Sequence, residues 1–167
     1  MVKKPNDVVI TGVGIVTCHG TGKDAHVALL SAKTAPEPVL ETEKFAPYVV
    51  HKLPEIDWSQ QIAKRGDQRQ MENWQRLGVF AAGLALDDAG MKDDADACGT
   101  MDLIVAAGGG ERDIAVDSLI VDEALQRNDR EKFLIEKLKT ELRPTLFLAQ
   151  LSNLLAGVET EDGIFLN

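Results

Sequence analysis

Cys18 and His19 stand next to each other in a glycine-rich stretch, and a thiol beside an imidazole resembles a nucleophile with its base. Adjacent residues rarely aim their side chains at one another, because such pairs are usually assembled from distant parts of a chain. The sequence therefore favours a structural loop thiol at Cys18. Cys98 follows an acidic loop whose carboxylates disfavour a thiolate, so it is not a credible nucleophile either.

The same residues show no pattern of metal ligands. His19, His26 and His51 lack any ligand spacing, and the two cysteines form no CxxC pair. His26 falls on a predicted helix and is expected at the surface. We therefore expect no metal and no cofactor, and reduced thiols as in a cytosolic protein.

Two glycine-containing turns could bind phosphate, and both lack a required residue. The segment GVG at 12–14 follows a predicted strand, but Thr17 replaces the third glycine of the dinucleotide fingerprint and the next helix begins too late. Gly22 and Lys23 resemble the end of a phosphate-binding loop, yet Asp24 stands where Ser or Thr is needed and would repel a phosphate. Nucleotide binding by an α/β domain is therefore the function that the sequence supports least.

Two charged clusters allow more than one interpretation. Lys64, Arg65 and Arg69 are either a solvated helix face or a receptor for an acidic partner, and both readings stay open in so acidic a chain. The residues at 111–113 (Glu-Arg-Asp) could be an active-site cluster. Capping of the following helix is the favoured interpretation.

Composition limits the class of protein. The chain has 167 residues, 44% of them hydrophobic and 27% charged, which fits one globular domain. Its net charge of −9 argues against binding to nucleic acid or to an anionic membrane. No apolar run is long enough for a membrane span or a secretory leader. We expect a soluble, cytoplasmic protein.

The hydrophobic pattern predicts an α/β fold, with buried strands between helical layers. Buried strands are predicted at 8–11 and 101–107, a further strand at 48–50, and a polar loop at 93–99. Helices are predicted at 25–33, at 71–89, at 114–142 with a break near Asn128, and at 142–157. The last helix is apolar on most sides, yet only the acidic segment VETEDGIFLN follows it.

Four stretches together resemble the N-terminal part of a 3-oxoacyl-[acyl-carrier-protein] synthase, of the condensing-enzyme (beta-ketoacyl synthase) family. They are VVITGVGIVT at 8–17, DQRQMENWQRLGVFAAGLALDDAG at 67–90, MDLIVAAGGG at 101–110 and RPTLFLAQLSNLLAG at 143–157. The resemblance implies a partial thiolase-like fold over residues 1–157, a mixed β-sheet between helical layers. Residues 158–167 depart from the family pattern as an atypical tail.

The resemblance implies an acyltransferase family that condenses an acyl thioester with malonyl-acyl carrier protein in fatty-acid or lipid biosynthesis. The family's nucleophilic Cys follows the helix that contains Asn153 here, and its two His residues come from the C-terminal half. No residue of this chain matches them, so no catalytic residue is assigned. We expect a truncated form that is inactive as this chain.

The resemblance also implies partners. Acyl carrier protein is strongly acidic, and family members present cations to it at positions matching Lys64, Arg65 and Arg69, and near Lys139 and Arg143. A homodimer or heterodimer with another condensing-enzyme chain is expected. The alternative function is a non-catalytic partner subunit, an interaction module that dimerises with a complete condensing enzyme.

Overall fold

The computed structural model, which describes residues 7–106, 108, 113–141 and 151, combines helices with two small antiparallel sheets. This mixture fits the α/β class. The strands form two hairpins: β1 (Val16–Thr17) with β2 (Gly20–Thr21), and β3 (Leu40–Glu41) with β4 (Val50–His51). The helices are α1 (Lys23–Leu30), α2 (Arg65–Gln70), α3 (Asn73–Ala89), α4 (Ala95–Thr100), α5 (Ile114–Leu125) and α6 (Arg130–Thr140), with a 3₁₀ turn at Trp58–Gln60.

The longest of these helices, α3, is the element on which the others are assembled. It begins after Glu72, whose backbone N–H donates to Gln75 Oε1 at 2.8 Å, as in a capping box. It ends at Gly90, where a φ of 67° gives the left-handed C-cap that glycine adopts without a Cβ penalty. Val79 and Phe80 on this helix are almost fully buried. The observed helix covers the one predicted at 71–89 except for its first two residues.

The described core lies between α3, α2 and the 3₁₀ turn. Ile62, Met71 and Val79 form one buried cluster, and Trp58 packs against it. The Trp58 ring also meets the Phe80 ring edge-on, with centroids 5.8 Å apart and planes at 86°. The turn that carries Trp58 is thereby fixed to the middle of α3.

The N-terminal segment lies directly on the surface of α3. A Cβ on Gly12 would overlap the carbonyl oxygen of Ala85, and one on Gly14 would overlap that of Ala81. The Val13 N–H donates to Asp88 Oδ2 at 3.0 Å. Only residues without a side chain allow two backbones to approach so closely, which explains both glycines.

The two buried strands predicted from the sequence are absent. Residues 8–11 and 101–106 belong to no strand, and Val8 and Ile104 are 100% and 94% exposed. A β-branched run encodes an extended backbone, but a strand also needs a neighbour to bond its N–H and C=O groups. Neither segment has such a neighbour among the described strands. The strand predicted at 48–50 overlaps β4 at a single residue.

The helix predictions agree with the structure better than the strand predictions do, with one error. The helix predicted at 25–33 is observed as α1, starting two residues earlier at Lys23, and the break near Asn128 separates α5 from α6. The polar loop predicted at 93–99 is wrong, because Asp94 Oδ1 accepts from the Ala97 N–H at 2.9 Å and caps α4. The helix predicted at 142–157 falls outside the described residues.

Helices α5 and α6 pack against each other as a hairpin. Phe133 is the buried residue of α6, and the Arg127 guanidinium lies 4.8 Å from the centre of its ring. Leu134 and Leu138, two further apolar residues of this helix, are more than two-fifths exposed. No helix in the described part of the chain is both long enough and apolar enough to cross a membrane.

Candidate functional site

Lys64, Arg65 and Arg69 lie together at α2 and form what we call the α2 basic surface. Lys64 is the N-cap residue in an extended conformation, and its carbonyl oxygen accepts from the N–H groups of Asp67 and Gln68. Arg65 and Arg69 are four residues apart on one helix, so their side chains share a face. All three side chains are exposed, and none of them joins an ion pair with another described residue.

The core holds α2 in place while the cations face solvent. Gln68 Nε2 donates to the Ile62 carbonyl oxygen at 2.6 Å, and Met71 closes the helix with a buried side chain. The Met71 N–H also donates to the Asp67 carbonyl oxygen. The α2 basic surface is therefore mounted on a fixed element, which a docking surface requires.

Lys139, also predicted for docking, lies on a different element from the α2 basic surface. It is exposed in the last turn of α6, and α6 packs on α5. Arg143 lies outside the described residues. Of the four predicted docking residues that the structure describes, three therefore lie together.

His26 is more than the surface residue expected from the sequence. Its Nδ1 lies 2.7 Å from the Gly22 carbonyl oxygen, and its Nε2 lies 2.8 Å from Thr17 Oγ1. A carbonyl can only accept, so Nδ1 carries the proton, and a neutral ring then accepts from the Thr17 hydroxyl at Nε2. His26 is half-buried because α1 starts directly after the β1–β2 hairpin and turns its first residues back onto it.

The structure pairs Cys18 with His51 and not with its sequence neighbour. Cys18 Sγ lies 3.9 Å from His51 Nδ1, across 33 residues of chain. Cys18 stands in the turn between β1 and β2, whereas His51 belongs to β4. Sequence reasoning missed this pair, since no spacing marks a contact between two separate hairpins. Cys98 differs, because its Sγ donates to the Met91 carbonyl oxygen at 3.4 Å.

Asp88 on α3 connects the N-terminal segment to α1. It accepts from the Val13 N–H and forms an ion pair with Lys23, the first residue of α1. The hydrogen bond from Lys23, and then the one from Val13, hold the pKa of Asp88 below its usual value. The hydrogen bond to Asp88 raises the pKa of Lys23 above its usual value in turn.

A cavity of about 280 Å³ opens beside this ion pair. Thr21, Lys23, Asp24 and Asp88 contribute its polar lining. Because Lys23 already has a carboxylate partner and two carboxylates face the cavity, a phosphate would gain little there. The lining of the cavity therefore agrees with the sequence, in which Gly22 and Lys23 lack the Ser or Thr of a phosphate-binding loop.

Asp113 caps α5, its Oδ1 accepting from the N–H groups of Ala115 and Val116 at 3.1 Å each. This is the structural role favoured for the cluster at 111–113, whose other two residues lie outside the described part of the chain. Within the described residues, no group of three or more His, Cys, Asp or Glu side chains could hold a metal ion.

No protein-family model matches this chain, and no curated protein or solved structure matches it either. The four stretches quoted above and the geometry of the described residues therefore carry any functional proposal.

Proposed function

We propose that this chain corresponds to the N-terminal part of a 3-oxoacyl-[acyl-carrier-protein] synthase and binds acyl carrier protein without catalysing condensation by itself. The α2 basic surface carries the proposal, since it presents three exposed cations on a chain of net charge −9. The four-stretch resemblance supplies the family. On this proposal the protein is cytoplasmic, and its fold is part of a thiolase-like arrangement.

The charge distribution supports an acidic protein partner. The whole chain repels such a partner at long range, so an attractive local surface determines the orientation in which the two meet. Arg65 and Arg69 offer planar guanidinium groups that can each hold a carboxylate or phosphate with two parallel hydrogen bonds. Lys64 adds a third positive charge beside them.

Packing between two of the family-like stretches also supports the proposal. The stretch at 8–17 contacts the stretch at 67–90 directly, through Gly12, Gly14 and the bond from Val13 to Asp88. Both glycines of the first stretch are required by this contact. Two of the stretches that carry the resemblance therefore pack against each other.

The test is the affinity for purified acyl carrier protein, measured by fluorescence anisotropy at low salt. Reversing the charges in the triple variant K64E/R65E/R69E should weaken binding about tenfold or more, because attraction at the docking surface becomes repulsion. The matched control reverses three other exposed cations, as K33E/K52E/K132E, and changes the net charge equally. Equal losses in the two triple variants, or no binding by the unaltered chain, would contradict the proposal.

The catalytic part of the proposal has its own readout. Incubation with acyl-loaded acyl carrier protein should transfer no acyl group to the chain, because neither thiol matches the family's nucleophile. Mass spectrometry of the intact chain measures this. An acyl group on Cys18 or Cys98 would show that the chain catalyses the first half-reaction.

The exposed apolar side chains favour a second function, a non-catalytic subunit that pairs with a complete condensing enzyme. Val8, Ile10, Leu30 and Ile104 are each at least 85% exposed, and large apolar surfaces commonly mark protein interfaces. Size-exclusion chromatography of the chain mixed with a full-length synthase should then show a mixed species. Elution of the two proteins as separate, unshifted peaks would exclude this function.

A further inference from the structure

We propose that Cys18 is a reactive thiol that small disulfides modify, and that His51 acts as its general base. The inference rests on the pair that the two hairpins form and is independent of the proposed function. A nucleophile and a base within hydrogen-bonding reach, drawn from distant parts of the chain, are the usual composition of such a site. Neither residue has a role in the docking of acyl carrier protein proposed above.

The geometry gives the thiol a base and an open approach. His51 Nδ1 is 3.9 Å from Cys18 Sγ, within the range of a hydrogen bond to sulfur. His51 lies opposite Leu40 in the β3–β4 ladder, and this pairing fixes the backbone that carries the imidazole. Cys18 is half-exposed and His51 is exposed, so a small reagent reaches the sulfur without displacing the core.

The other two histidines of the chain do not fill this role. Both ring nitrogens of His26 are engaged, one with the Gly22 carbonyl and one with the Thr17 hydroxyl. His19 is bonded through its backbone N–H, which donates to Thr17 Oγ1 at 3.1 Å. His51 is therefore the histidine whose ring reaches the Cys18 sulfur.

Cys98 provides a comparison within the same molecule. It is also half-exposed, but its Sγ donates to the carbonyl oxygen of Met91. A carbonyl oxygen accepts a hydrogen bond from the thiol but does not take its proton. An imidazole can take the proton, which is why the two thiols should differ in rate.

The reaction is a thiol–disulfide exchange. His51 Nδ1 takes the proton from Cys18 as its sulfur attacks one sulfur of the small disulfide, and the disulfide S–S bond breaks. The departing thiolate then recovers that proton from the imidazolium. Cys18 is oxidised to a mixed disulfide, the reagent is reduced to one thiol, and no other reactant is required.

The first experiment compares the two thiols in the full chain with dithiodipyridine, an uncharged aromatic disulfide whose released thione absorbs light. The variants C98A and C18A each retain one of the two cysteines. The thiol of C98A should react about tenfold faster than that of C18A in the folded state, and the two rates should converge in concentrated urea. Equal rates in the folded state would overturn the proposal.

The second experiment removes the base in the C98A background. The variant H51N keeps a polar side chain that cannot accept a proton at neutral pH, so the rate should fall about tenfold, and added imidazole should restore part of it. The matched control H19N should react as C98A does. An unchanged rate in H51N, an equal loss in H19N, or a slow H51N that imidazole does not accelerate would each contradict a base at His51. If circular dichroism shows that H51N is unfolded, the C98A variant tests the proposal alone. The measured quantity is then the reaction rate of the Cys18 thiol in the folded state divided by its rate in urea.

Discussion

Asp88 shows how one residue can hold two distant parts of this chain. It binds the Val13 N–H, 75 residues away, and the Lys23 ammonium, 65 residues away. The sequence places an aspartate near the end of a helix and says nothing of either partner. Both partners are reached only after the N-terminal segment has packed on α3.

The pKa shift of Asp88 makes its contribution to stability depend on pH. A carboxyl whose pKa is lowered by folding stabilises the folded state above its usual pKa, and that stabilisation disappears as pH falls through the lowered value. Lys23 has the opposite sign, and its raised pKa keeps its contribution complete at neutral pH. We therefore expect D88N to lower the urea midpoint at neutral pH and to match the unaltered chain in acid.

Urea unfolding of both proteins from about pH 7 to about pH 2 measures this convergence. The control is D24N, which removes a carboxylate that lines the same cavity but takes no part in the hydrogen bonds of Asp88 with Val13 and Lys23. A difference between D88N and the unaltered chain that stays constant down to the lowest pH would refute the assignment.

Residue-level chemistry was the part least accessible from the sequence. Adjacent Cys18 and His19 resemble a nucleophile and its base, but the partner of the thiol in the structure is His51. His26 was expected at the surface and instead bonds at both ring nitrogens. Such contacts depend on how separate elements pack, and no local spacing encodes them.

At the scale of elements, Gly14 and Gly66 differ in what surrounds them. Gly14 lies where a Cβ would overlap the backbone of α3, whereas nothing lies within 4 Å of the Cβ that Gly66 would carry. We expect G14A to destabilise the chain by about 1–3 kcal/mol, because a helix carbonyl cannot move aside as a flexible side chain can. We expect G66A to be neutral or to stabilise by up to about 1 kcal/mol, since Ala suits a helix interior better.

Equilibrium urea unfolding, followed by circular dichroism, measures both variants. The two substitutions add the same atoms, and the one at Gly66 meets no neighbour, so a loss of stability in G14A alone reports the contact with α3. A G14A variant as stable as the unaltered chain would show that the N-terminal segment does not pack on α3 as described.

Helices were predictable and strands were not, for a physical reason. The apolar periodicity of α3, the glycine at its end and the break near Asn128 are local signals that the backbone follows directly. A strand at 8–11 or 101–107 would instead need a neighbouring strand to pair with, and the local sequence does not identify that neighbour. α4 was missed because its polar composition resembles a loop, although Asp94 supplies a helix cap.

At the scale of the whole molecule, the predicted α/β class fits the observed mixture of helices and small sheets, although the two buried strands predicted from the sequence are not among the observed ones. The thiolase-like arrangement is still a proposal. Such an arrangement depends on contacts between segments that are distant along the chain, and no local pattern encodes those contacts.

The contact of residues 12–14 with α3 has a consequence for how this chain tolerates insertions. The bond between Val13 and Asp88 closes a loop of 75 residues, and the entropy lost on closing a flexible loop grows only with the logarithm of its length. Doubling such a loop costs only about 0.6 kcal/mol. Extra residues in the segment at 36–54, which contains four prolines, should therefore weaken the contact of residues 12–14 with α3 far less than a single methyl group at Gly14.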